Sequence, residues 1–139
     1  MKVVVNRCYG GFGLSDKAIE MAMKRKGLNC FRYKLTNYRY RDDVEEYTRC
    51  EACSDSNISI YYLTVDLGEK TNKLPNETLW NYGDLKRDDT DLVAVVEELG
   101  EGANTIFSEL EVVEIPDDIN WYIDNYDGIE TIHEVHRSW

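Results

Sequence analysis

The segment Asn6-Arg-Cys-Tyr-Gly-Gly-Phe-Gly-Leu-Ser15 joins a predicted strand to a predicted helix, and its residue types suit an anion. Glycines at positions 10, 11 and 13 let backbone N–H groups approach a phosphate or carboxylate closely. A helix that begins after Ser15 adds roughly half a positive charge and several unpaired N–H donors. Asn6 and Arg7 contribute a neutral and a charged donor. At the other end of the chain His136, Arg137 and Trp139 form an aromatic-plus-arginine cluster that could stack a base or anchor an interface. The candidate ligand-binding set is therefore Asn6, Arg7, Gly10, Gly11, Gly13, Ser15, His136 and Arg137. The spacing matches neither common fingerprint. The third glycine of a dinucleotide motif falls on Asp16, and no lysine precedes Ser15 as a P-loop requires. A plainer reading stands first: a tight strand-to-helix turn that uses glycine for positive φ. Likewise Trp139 reads first as packing and Arg137 as an ion-pair partner.

Cys50-Glu-Ala-Cys53 has the spacing of a zinc knuckle or a redox pair. A zinc site needs two more ligands. Cys8 and Cys30 fall near predicted core strands, and His133 and His136, three apart on a strand, point to opposite faces. All four cysteines are expected as free thiols. Asp117, Asp118, Asp124 and Asp127 read as turn and surface acids rather than an acid–base pair. No serine or cysteine sits in a nucleophile motif. The sequence thus assigns no catalytic residue, no metal and no cofactor, and leans away from an enzyme.

Local patterning predicts the elements that hold these residues. A buried strand spans 2–6. A helix over 16–26 follows, with Ser15 as N-cap, Ile19, Ala22 and Met23 as its apolar stripe, and Gly27 as its stop. A strand over 28–35 completes a β–loop–α–β opening, which normally pairs its strands in parallel. Residues 36–57 read as a polar excursion with a hairpin, 58–65 as a strand, and 66–88 as a long loop turning at Leu74-Pro75-Asn76. A second helix covers 91–99, capped by Asp89 or Thr90 and stopped by Gly100. A strand at 111–115 and a hairpin over 120–136, turning at Asp127-Gly128, close the chain. The expected class is α+β: one domain over 1–139, with a single mixed sheet of about five or six strands and two main helices.

Bulk properties narrow the function. A chain of 139 residues can bury a real core. No apolar run approaches the ~20 residues of a membrane span, and the three valines near the start are too few for an export signal. A cytoplasmic protein is expected. The net charge is −11, yet 1–41 carries ten bases and two acids while 42–139 carries six bases and 25 acids. The plainer reading is that the two stretches attract each other across the fold. The sharper one is a basic face for an anion and an acidic face for a basic partner. Direct binding of nucleic acid is not expected of so acidic a chain.

Two blocks carry a resemblance. Val3-Val-Val-Asn-Arg-Cys-Tyr-Gly-Gly-Phe-Gly-Leu-Ser15 opens the chain. Leu92-Val-Ala-Val-Val-Glu-Glu-Leu-Gly100 leads into Val112-Val-Glu-Ile-Pro-Asp-Asp118, Tyr126-Asp-Gly-Ile-Glu130 and His136-Arg-Ser-Trp139. Together they resemble a family of small bacteriophage and prophage proteins; the middle of the chain, 36–88, is not part of the likeness. The resemblance implies a phage accessory protein made in the bacterial cytosol, and it brings no catalytic residues. The expected role is binding: an inhibitor of a bacterial defence system that holds a host or defence protein, or one that sequesters a small phosphate-bearing ligand. The alternatives are a small enzyme acting on a nucleotide-like metabolite at the glycine loop, and a ligand-free structural homo-oligomer.

Overall fold

The computed structural model describes residues 1–39, 44–51 and 60–135. These fall into two units, one built from 1–22 with 83–135 and the other from within 23–82. The class is α+β, as expected.

In the first unit, β1 (Lys2–Asn6) pairs antiparallel with β7 (Leu110–Glu114), Val4 facing Val112. Val3, Val4 and Val5 are all fully buried, so the strand is covered on both faces. Helix α2 (Thr90–Leu99) packs on this strand pair through Leu92, Val93, Val95 and Val96. Its N-cap is Asp89, whose Oδ1 accepts from the N–H groups of Asp91 and Leu92 at 3.0 Å each. Gly100 stops it at φ 55°. Strands β8 (Trp121–Tyr126) and β9 (Ile129–Glu134) form the expected hairpin. Asp127 and Gly128 both have positive φ, 53° and 94°, as a type I′ turn demands.

Helix α1 (Asp16–Arg25) ends in a Schellman motif: Leu28 N–H donates to Met23 O and Gly27 N–H to Lys24 O. The second unit then builds a five-stranded sheet in the order β5-β3-β2-β4-β6. Its members are β2 (Phe31–Arg39), β3 (Val44–Cys50), β4 (Ile60–Leu63), β5 (Lys70–Thr71) and β6 (Leu79–Trp80), paired antiparallel throughout. The excursion is thus a β2–β3 hairpin. The long loop hides two strands of two residues each, too short to show any alternation. Pro75 leads into a 3-10 turn at Asn76–Thr78.

One expectation is corrected. β1 and β2 lie in different sheets, so the opening is not a parallel crossover unit. The expected single sheet is, among the described residues, one sheet of five strands and two separate pairs. The cause is a long-range pairing, because β1 satisfies its backbone with β7, about a hundred residues away in the chain. Among the described residues Cys8, Cys30 and Cys50 form no disulfide, and Cys53 lies outside them.

The core of the five-stranded sheet is Tyr33, Tyr47 and Leu63, joined by Phe31, Leu67 and Leu74. Tyr47 donates to Glu45 Oε2 at 2.7 Å and meets Tyr61 edge-on at 5.6 Å. The hydrogen bond to Glu45, with burial second, pushes its phenol up to about 12. The neutral form is the one the fold favours. Its stabilisation is complete below the ordinary tyrosine value near ~10 and disappears as pH climbs from there to about 12. Difference titration of tyrosinate absorbance between the wild type and Tyr47→Phe isolates this group. The missing transition is expected near the upper value; a midpoint at the ordinary value refutes the assignment.

Candidate functional site

The glycine loop is held from several sides, and its neighbours explain each residue. Asn6 is fully buried. Its Nδ2 donates to the carbonyls of Cys8 and Gly128 at 2.7 Å each, and its Oδ1 accepts from Glu109 N–H at 2.8 Å. Arg7 Nε meets Glu111 Oε2 at 2.8 Å, and its Nη1 donates to Glu130 O at 2.9 Å. Gly10 lies against Phe107: a Cβ built there would stand 1.9 Å from Phe107 O. Gly11 has φ +95° and open space where a side chain would be. Gly13 O accepts from Ser108 Oγ at 3.0 Å.

Ser15 is the N-cap, accepting from Ala18 N–H at 3.2 Å. The same hydroxyl donates to Gly102 O at 2.6 Å, and Ser15 N–H donates to Ala103 O at 2.9 Å. Two carbonyl oxygens therefore stand at the helix end, where an anion's oxygens would have to be. The hairpin turn closes on the loop as well, since a Cβ on Gly128 would lie 2.4 Å from Tyr9 O and 2.6 Å from Gly11 N. The six loop residues do come together, and their polar groups serve one another and the neighbouring chain. This supports the plainer reading, a tight turn. His136 and Arg137 lie outside the described residues.

Beneath the loop is an ion pair that the sequence reading passed over. Glu130, on β9, is 3% exposed. Its carboxylate receives Arg87 at 2.5 and 2.8 Å and Asn6 N–H at 2.8 Å. The Arg87 guanidinium also covers the Phe12 ring, 3.6 Å from its centre. Alternation along β9 places Glu130 inward. The only sequence cue was an acid one residue past Ile129 in a strand whose inner face had to meet the core.

What the loop holds outward is apolar. Thr105–Ser108 is a turn, with Ser108 N–H pointing to Thr105 O at 3.4 Å. Thr105 N–H donates to Ser108 Oγ at 2.8 Å, Phe107 N–H to Thr105 Oγ1 at 3.1 Å, and Leu110 N–H to Asn104 Oδ1 at 2.8 Å. The two residues at the tip of this braced turn are Ile106 and Phe107, exposed by 77% and 64%. Tyr9 and Tyr126, which flank the contact between loop and hairpin, are exposed by 71% and 76%. Turn tips ordinarily carry Gly, Asn, Asp or Ser. Beside Ile106 an open groove of about 690 Å³ is lined by Gly100, Glu101, Asn104, Ser108, Glu109 and Leu110, among others.

Among the described residues no cluster of His, Cys, Asp and Glu could hold a metal ion, and no helix is long and apolar enough to cross a membrane. The chain matches no family model, no curated protein and no solved structure.

Proposed function

We propose that this chain is a protein-binding module whose contact surface is the apolar ridge around the glycine loop. The observation that carries this reading is the braced turn with Ile106 and Phe107 at its tip. Burial of one such side chain is worth about 1.5–3 kcal/mol, and that free energy is left unused while both face water. Because hydrogen bonds already hold the turn, a partner would order little on docking, which keeps the entropic cost low. Tyr9 and Tyr126 add aromatic area of the kind that anchors interfaces.

The resemblance of the two terminal blocks supports the wider reading. The chain is a bacteriophage accessory protein, made in the bacterial cytosol, that inhibits a host or defence protein by holding it. The phosphate-sequestering alternative has less support, because carbonyls and the hairpin turn occupy the surroundings of the glycine loop.

Affinity capture from bacterial lysate tests the surface. Wild type and Ile106→Ser/Phe107→Ser are compared by quantitative mass spectrometry after circular dichroism confirms that both fold. At least one host protein held by the wild type is expected to fall away from the variant. Identical captured sets would remove the ridge as the binding surface.

A further inference from the structure

We infer that the groove beside Ile106 receives a lysine or arginine side chain from a basic segment of the partner protein, with apolar neighbours of that segment packed on Ile106 and Phe107. This rests on the ridge being the docking surface and goes further by fixing the partner's chemistry.

Charge selects the occupant. Residues 1–22 and 83–139 hold six Lys and Arg against 18 Asp and Glu, a net of −12, whereas 23–82 hold ten against nine. The fold has gathered the acidity into the unit that carries the ridge. Such a field speeds encounter with basic surfaces and opposes both nucleic acid and a second copy of the same unit. The groove repeats that preference locally. It is lined by Glu101 and Glu109 and by no Lys or Arg. Neither carboxylate has a cation partner among the described residues. Asn104 and Thr105 offer neutral oxygens, while Ile106 and Leu110 offer apolar wall. A long basic side chain fits that division, its methylene stem along the wall and its head at the carboxylates. An acidic or purely apolar segment would leave both carboxylates facing like charge or stripped of water.

Fluorescence anisotropy with short labelled peptides provides the test. One peptide alternates arginine and leucine, a second replaces arginine by glutamate, and a third replaces leucine by serine. The arginine–leucine peptide is expected to bind full-length protein, with the other two far weaker. Glu101→Gln/Glu109→Gln is expected to weaken it about ten-fold or more, the scale of a lost charge-assisted contact. Ile106→Ser is expected to weaken it similarly. Asp118→Asn/Glu134→Gln removes the same charge away from the groove and is expected to change affinity little.

Equal weakening by the two charge-neutralised pairs would reduce the effect to the general field and overturn the groove assignment. So would undiminished binding to Ile106→Ser, equal binding of the glutamate–leucine peptide, or no binding at all. A dimer seen by sedimentation that Ile106→Ser dissolves would make the occupant a second copy and overturn the choice of partner. Lysate capture that depends on the ridge but survives Glu101→Gln/Glu109→Gln would sink this inference and leave the protein-binding reading standing. Capture indifferent to the ridge would sink that reading itself.

Discussion

Arg87→Ala is expected to destabilise the fold by about 3–5 kcal/mol, the usual cost of stranding one member of a buried ion pair. The side chain left behind is Glu130, 3% exposed, which would keep only Asn6 N–H as a donor. The guanidinium does more than neutralise it. It also covers Phe12 and lies 3.4 Å from Val4 O, so it ties β1, the glycine loop and β9 together. Glu130→Gln keeps the shape and one carbonyl acceptor but turns an amide toward Arg87, and about 1–3 kcal/mol is expected. The pair Arg87→Leu/Glu130→Leu is expected to cost less than the sum of its single substitutions, because neither charge then remains buried alone. Urea unfolding of wild type, both singles and the double gives the cycle. Additivity within about 0.5 kcal/mol would show that the two side chains act separately, contrary to the geometry.

The second large effect is steric. Gly128→Ala places a methyl 2.4 Å from Tyr9 O and 2.6 Å from Gly11 N, both backbone atoms that cannot swing aside, at φ +94°. The hairpin must lift from the loop, and the Asn6 bond to Gly128 O is lost with it. Gly10→Ala meets Phe107 O at 1.9 Å without any positive φ. Gly11→Ala has positive φ but no neighbour within 4 Å. Thermal unfolding of the three variants separates the causes. Gly11→Ala is expected to cost about 1–2 kcal/mol, the price of a left-handed backbone alone. Gly10→Ala and Gly128→Ala are expected to cost about 3 kcal/mol or more, as overpacking against rigid neighbours does. Gly10→Ala also displaces Phe107, so it is expected to reduce partner capture per folded molecule. If Gly11→Ala proves as damaging as Gly128→Ala, the close approach of turn and loop is not what these glycines serve.

The helices, their caps and the Asp127-Gly128 hairpin were legible because each is decided within a few residues. Ser15 and Asp89 cap with their own side chains, Gly27 and Gly100 stop by their own φ, and a type I′ turn asks only for two residues that tolerate positive φ. The two strands of two residues in 66–88 were not legible, since no periodicity exists at that length. The glycine loop was found, but its purpose was open. The residues alone allow either an anion or a neighbour's carbonyl at a helix N-terminus, and Gly102 and Ala103 are some 87 positions away in the chain.

Charge shows the division most clearly. Along the chain the basic stretch 1–41 and the acidic stretch 42–139 look like opposite ends of one molecule. The fold cuts across them: 1–22 belongs to the acidic unit with the C-terminal part, while 23–39 belongs to a nearly neutral second unit. Local chemistry settled what each short segment becomes, because caps, turns and apolar stripes act over one or two helical turns. Partnership settled the rest. β1 pairs with β7 about a hundred residues away, and Glu130 meets Arg87 43 positions away, partners that no local pattern names; Ile106 and Phe107 are left outside on a turn whose own bonds are short-range.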